Sequence, residues 1–167
     1  MEPDFAALQL IAEIALGIVG FSAILIGLSR SKDGFSAPDN FRIQLLTFSA
    51  FGAMFCALLP FPVFSPIYLD RSWAILAWIL CLYSVVGLLI FPRKVFNLRR
   101  EGFKNVFPLR IVFLQIGILI AIFVLSGSMI LDLMKIWQKN NVYLFCLMLF
   151  IVQSTIAFIR TMFVRVK

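Results

Sequence analysis

Five long apolar stretches constrain this chain more than any other feature of its sequence. Each has about the 17–25 residues that an α-helix needs to cross a hydrocarbon core roughly 30 Å thick. We therefore predict an all-α integral membrane protein, a bundle of five transmembrane helices joined by short loops. The predicted spans cover approximately residues 5–28, 43–63, 73–91, 111–131 and 142–159.

Composition points to the same class of protein. Apolar residues make up 62% of the chain and charged residues 14%, against roughly 45–50% and 25% in soluble proteins. The mean hydropathy is +1.03. We expect one polytopic membrane domain over residues 1–167, because the longest loop, 92–110, is too short for a soluble catalytic domain.

Lysine and arginine lie mostly on one side of the predicted bundle. Twelve of the 15 fall in segments that follow the first, third and fifth spans. Cytoplasmic segments carry the Lys/Arg excess, so we expect an extracytoplasmic N-terminus and a cytosolic C-terminus in a plasma or inner membrane. The twelve are Arg30, Lys32, Arg42, Arg93, Lys94, Arg99, Arg100, Lys104, Arg110, Arg160, Arg165 and Lys167; the other three are Arg71, Lys135 and Lys139.

This bias also bears on three alternatives. In a four-span chain the last two stretches would form one bent helix, and Lys and Arg would no longer be concentrated on one side. Five spans are therefore favoured. The net charge of +7 is explained by the basic cytosolic segments, which are expected to lie beside anionic headgroups. Because this accounts for the charge, no nucleic-acid partner is expected. The acidic start, Met1 to Asp4, lacks the basic region of a signal peptide, so we expect no cleaved signal.

Several residues predict where the helices begin and end. Ser36 and Asp39 resemble a capping box at the start of the second helix, which Pro60 and Pro62 should end. Pro92 is expected to stop the third helix at Phe91. The pair Asn140-Asn141 is a plausible turn before the fifth span.

Residues 92–110 predict one basic amphipathic segment on the cytosolic membrane surface. At about 100° per residue, Val95, Phe103 and Phe107 share a side opposite most of the cations. Such a segment lies among lipid headgroups with its apolar side submerged. The alternative is a plain loop that only obeys the charge bias. The candidate contacts to anionic lipid are Arg93, Lys94, Arg99, Arg100 and Lys104.

The residue inventory argues against an enzyme. The chain has no histidine, which removes Ser-His-Asp triads, haem held by axial histidines and the usual zinc sites. The cysteines Cys56, Cys81 and Cys146 form no CxxC motif, and no glycine-rich nucleotide loop occurs. We therefore predict no catalytic residue, no cofactor and no metal site.

Glu13 is the candidate functional residue inside the membrane, with Gln9 one turn away. It shares a sector of about 80° with small and polar residues, which should face protein because they permit close helix contact. We expect Glu13 to face the bundle interior, protonated or hydrogen-bonded to another helix, with Arg71 as its charged partner if it has one. A proton or cation site, or a contact to a partner chain, is the alternative. The sector contains Ala6, Gln9, Glu13, Gly17, Gly20 and Gly27.

Two functions remain open at this point. The first is a non-catalytic membrane component that acts through helix–helix contacts, in a homo-oligomer or beside a membrane partner subunit. The second is a small oligomeric channel or transporter whose path Glu13 and Gln9 would line.

Overall fold

A computed structural model describes residues 3–29, 36–64, 68–133 and 136–163, and these residues contain helices and no strand. Five helices are long and apolar enough to cross a membrane, with the short α3 continuing the α2 span. The predicted all-α architecture with five such helices is confirmed. The helices are α1 (Phe5–Ser29), α2 (Ala37–Leu58), α3 (Pro60–Val63), α4 (Leu69–Arg100), α5 (Leu109–Ile130) and α6 (Ile136–Phe163).

Four helices form the centre of the bundle. Helix α2 packs against α6 and α4, and α5 packs against α4 and α6, so the four close a ring. Helix α1 lies outside this ring and packs on α2 and α6. The fully buried side chains of Leu46, Leu80, Leu119 and Leu147 come one from each central helix, so the core lies inside the ring.

The predicted start of α2 is confirmed. Ser36 is its N-cap, and the Ser36 hydroxyl accepts a hydrogen bond from the Asp39 backbone N–H at 3.4 Å. The same hydroxyl donates to the Asp39 carboxylate at 2.6 Å. At its other end α2 stops at Leu58, and the turn that begins at Pro60 forms α3.

Pro92 does not end its helix, and that prediction is wrong. Helix α4 continues through Pro92 to Arg100. Proline removes one backbone donor from a helix interior, but Phe91 and Val95 are buried on the same side of α4. This packing on the bundle keeps the helix intact on both sides of the proline.

The predicted single amphipathic segment is also divided differently. Residues 92–100 belong to α4, residues 101–107 form turns, and α5 begins at Leu109. Gly102 has φ = +105°, a conformation that a residue with a Cβ rarely adopts. The chain therefore leaves α4 at Gly102 instead of continuing as a surface helix.

The Asn140-Asn141 turn is wrong as well, because α6 already begins at Ile136. Asn140 is buried and its side-chain oxygen accepts from the Asp4 backbone N–H at 3.2 Å. Lys139 is also buried, and its ammonium lies 2.6 Å from Asp132 and 3.8 Å from Asp70. These contacts connect α6 to the segment before α1, to the start of α4 and to the residues after α5, at the end of the bundle where α1 begins.

Candidate functional site

Glu13 lies on the outer surface of α1, exposed to the surroundings of the chain. Its carboxylate accepts a hydrogen bond from the Gln9 side-chain amide at 3.0 Å, and Gln9 is exposed too. The side of α1 that packs on the bundle carries Leu8, Ile11 and Ala15. The prediction that Glu13 faces the bundle interior is therefore wrong. Leu10 and Ile14 are exposed on α1 as well, so Glu13 lies among apolar side chains on the part of α1 that does not pack on the bundle.

The glycines beside Glu13 also face outward. Gly20 and Gly27 are exposed and Gly17 is half-buried. A Cβ added at any of the three would meet no other atom within 4 Å. Gly87 of α4 behaves differently, because a Cβ there would come within 2.9 Å of the Phe48 ring. The glycines of α1 therefore allow close approach of another helix, yet none of the helices that the structure describes uses that space.

Helix α2 also carries a row of small residues, and these face the interior of the bundle. Ser49, Ala53, Cys56 and Ala57 are all buried in the bundle. The rule that small residues face protein holds for α2 inside one chain. The small and polar residues of α1 form a surface that we call the α1 outer face: Ala6, Gln9, Glu13, Gly17, Gly20 and Gly27. The rule holds for this surface only if a second chain covers it.

Arg71, the cation expected near Glu13, lies elsewhere. It is exposed near the start of α4, and its guanidinium lies 5.9 Å from the centre of the Tyr68 ring. Glu13 is on α1, whose neighbours are α2 and α6. Gln9, and not Arg71, is the group that contacts the Glu13 carboxylate.

The predicted lipid-contacting cations occupy the opposite end of the bundle. Arg93, Lys94, Arg100 and Lys104 are exposed. Arg99 is half-buried and donates to the Phe107 carbonyl, so it contributes to the fold of its own segment. Four of the five predicted residues are thus accessible to a headgroup.

Sequence reasoning treated Arg42 and Arg160 only as cytosolic cations and missed their structural role. Both are buried, and their guanidinium carbons lie 5.6 and 5.7 Å from the centre of the Phe107 ring. Arg160 also donates to the Val106 carbonyl, and Arg42 donates to the Arg160 carbonyl at 3.3 Å. The two arginines join α2, α6 and the segment between α4 and α5. The sequence feature that could have indicated this role is the position of Phe107 on the apolar side of residues 92–110.

The rest of the structure offers little chemistry. Among the described residues, no three His, Cys, Asp or Glu side chains are grouped so that they could hold a metal ion. The three cysteines are free thiols. No family model, curated protein or solved structure matches the chain. The α1 outer face and the charged ends of the bundle are therefore the candidate functional surfaces.

Removing the Arg160 side chain should destabilise the protein far more than removing an exposed cation. Arg160→Met keeps an apolar stem but loses the ring contact and the hydrogen bond to Val106. We expect a loss of about 2 kcal/mol or more, measured by thermal unfolding in detergent. Arg100→Met, at an exposed position, is the matched control and should leave the unfolding temperature nearly unchanged. Equal effects of the two substitutions would contradict the structural role of Arg160.

Proposed function

We propose that this protein is a non-catalytic membrane component that binds a transmembrane helix of a partner protein through the α1 outer face. The observation that carries the proposal is the exposed carboxylate of Glu13 within the apolar helix α1, more than two turns from its start. The partner helix supplies a cation or a hydrogen-bond donor at the depth of Glu13.

A carboxylate exposed to hydrocarbon is energetically unfavourable. Glu13 lies eight residues after Phe5, about 12 Å along the helix at 1.5 Å per residue. Placing a charged side chain deep in hydrocarbon costs roughly 2.5–3.5 kcal/mol on insertion scales, and such residues almost always face protein or water. One hydrogen bond from Gln9 leaves most of the carboxylate oxygens' acceptor capacity unused. A donor from another chain removes this cost.

The shape of the same surface favours a helix as the covering group. Gly17, Gly20 and Gly27 present no side chain, and the space above them is open. Small residues at such spacing let two helix backbones approach closely, which strengthens van der Waals packing in a membrane. The charge and the shape of the α1 outer face therefore favour the same kind of partner.

A photo-reactive residue in place of Gly20 should capture that partner in native membranes. We expect one adduct whose partner peptide, identified by mass spectrometry, lies in a transmembrane segment with a Lys, Arg, Asn or Gln side chain. Glu13→Leu should reduce its yield severalfold, because the partner loses its acceptor. Glu13→Gln should retain it, because the amide still accepts a hydrogen bond.

The matched control is the same photo-reactive residue in place of Leu114, which is exposed on α5. Equal yields from the two positions would mean random collision and would overturn the proposal, as would the absence of any adduct from Gly20. An adduct of twice the chain mass would show that the α1 outer face binds a second copy of this chain instead of a different protein. That outcome would favour the oligomeric channel or transporter.

We further propose that the end of the bundle formed by the exposed cations faces the cytosol, in contact with anionic lipid. Arg93, Lys94, Arg100 and Arg110 are exposed there, and the buried Arg42 and Arg160 lie beside them around Phe107. This orientation has the N-terminus outside and agrees with the 12-to-3 distribution of cations in the sequence. Five of the 15 cations, Arg30, Lys32, Lys135, Arg165 and Lys167, lie outside the described residues.

Reporter fusions test the orientation. Alkaline phosphatase, which is active only outside the cytosol, should be inactive when fused after Met162 and active when fused after Asp70. A fluorescent protein that fails to fold outside the cytosol should give the opposite pattern. Activity of the phosphatase after Met162 would reverse the proposed orientation.

Lipid composition tests the headgroup contact. The protein in nanodiscs with phosphatidylglycerol should unfold at a higher temperature than in phosphatidylcholine alone, and added salt should reduce the difference. A variant with Arg93, Lys94, Arg100 and Lys104 changed to Gln should lose most of it. Gln substitution of Arg71, which is exposed at the other end, is the control. An equal unfolding temperature in the two lipids would refute a specific anionic contact.

A further inference from the structure

Two of the three cysteines lie opposite each other where α2 packs against α6. The Arg42 side chain, near the start of α2, donates to the Arg160 carbonyl near the end of α6 at 3.3 Å. The Tyr143 hydroxyl, near the start of α6, donates to the Cys56 carbonyl near the end of α2 at 2.6 Å. The two helices are therefore antiparallel. Cys146 lies one turn after Tyr143 on the same side of α6, which places it across from Cys56.

The side chains of this pair are both buried and close together. The two thiols are near enough for their charges to interact with each other, and both interact with the Tyr143 hydroxyl. Ala53 and Ala57, beside Cys56 on α2, are fully buried, and such small residues let helix backbones approach closely. A disulfide needs Cα atoms about 4.4–6.8 Å apart. Helices with axes about 8 Å apart bring facing Cα atoms into this range, because each Cα lies about 2.3 Å from its axis.

The depth of the pair restricts the oxidant that could join the two sulfur atoms. Cys56 lies seven residues before Val63, the last residue of its candidate span, and Cys146 lies eight residues after Gln138, the first residue of its own. At 1.5 Å per residue the pair is about 10–12 Å from that end of the bundle. In the orientation proposed above, this end faces away from the cytosol, on the side where disulfides persist. Because the surroundings are apolar, an oxidant that reaches this depth has to be soluble in lipid.

We propose that Cys56 and Cys146 are a redox-active pair that forms a disulfide between α2 and α6, with a lipid-soluble quinone as the oxidant. Each thiol loses its proton, one S–S bond forms, and the pair gives up two electrons. The quinone takes up both electrons and both protons and becomes a quinol. The disulfide then holds α2 and α6 together covalently. The pairing depends on the fold alone, whereas its location on the outer side rests on the proposed orientation.

Thiol counting on the full chain in nanodiscs tests the pair. The protein is incubated with decylubiquinone, denatured, alkylated with a maleimide and weighed as an intact chain. The reduced chain has three free thiols and should take up three maleimides. After the quinone we expect a single maleimide, on Cys81, and dithiothreitol should restore all three.

Two variants identify the cysteines that react. Cys81→Ser should take up no maleimide after oxidation and two after reduction, whereas Cys146→Ser should take up two in both states. If Cys146→Ser does not fold, a protease-derived peptide pair that joins Cys56 to Cys146 in the wild-type chain gives the same information. Three maleimides on the quinone-treated wild type would overturn the proposal, as would a disulfide that includes Cys81. Phosphatase activity after Met162 would reverse the membrane side of the pair and leave the maleimide counts unchanged.

Discussion

A charged group inside an apolar bundle needs a partner, because hydrocarbon offers none, and this requirement shapes the two ends of the described bundle. The ammonium of Lys139 pairs with Asp132 and Asp70, and Arg160 contacts Phe107 and the Val106 carbonyl. These pairs join different helices at the two ends of the bundle. Among the described residues Glu13 has one hydrogen-bond partner, Gln9, and the partner helix proposed for the α1 outer face would supply the contacts that the carboxylate lacks.

Local features of the fold could be predicted from the sequence. The five apolar stretches identify the long helices, because length and hydropathy are properties of each segment alone. The cap formed by Ser36 and Asp39 was equally predictable, because its hydrogen bonds span only three residues. Predictions that depended on contacts between helices were wrong at Pro92 and Asn140. Pro92 and Asn140 lie inside helices, since burial of Phe91 and of Asn140 itself outweighs their local preference for a break or a turn.

The orientation of α1 shows most clearly what sequence reasoning lacks. Small residues on α2, such as Ala53 and Ala57, are buried within the chain, whereas Gly20 and Glu13 on α1 are exposed. The sequence pattern is the same in both helices. A pattern of small residues allows a helix surface to pack closely on protein, but it does not tell whether the same chain covers that surface. Residue type alone therefore identified Glu13 as a candidate, whereas the structure was needed to show that it lies on the outside of the bundle.

The contacts around Phe107 have a consequence for the connection between α4 and α5. Arginines from three helices hold residues 106–107: Arg99 from α4, Arg42 from α2 and Arg160 from α6. The length of this connection is consequently fixed by geometry, unlike that of an ordinary surface loop. One added residue before Phe107 would shift the ring and two carbonyls away from all three side chains together. Tags and domain insertions belong elsewhere in the chain.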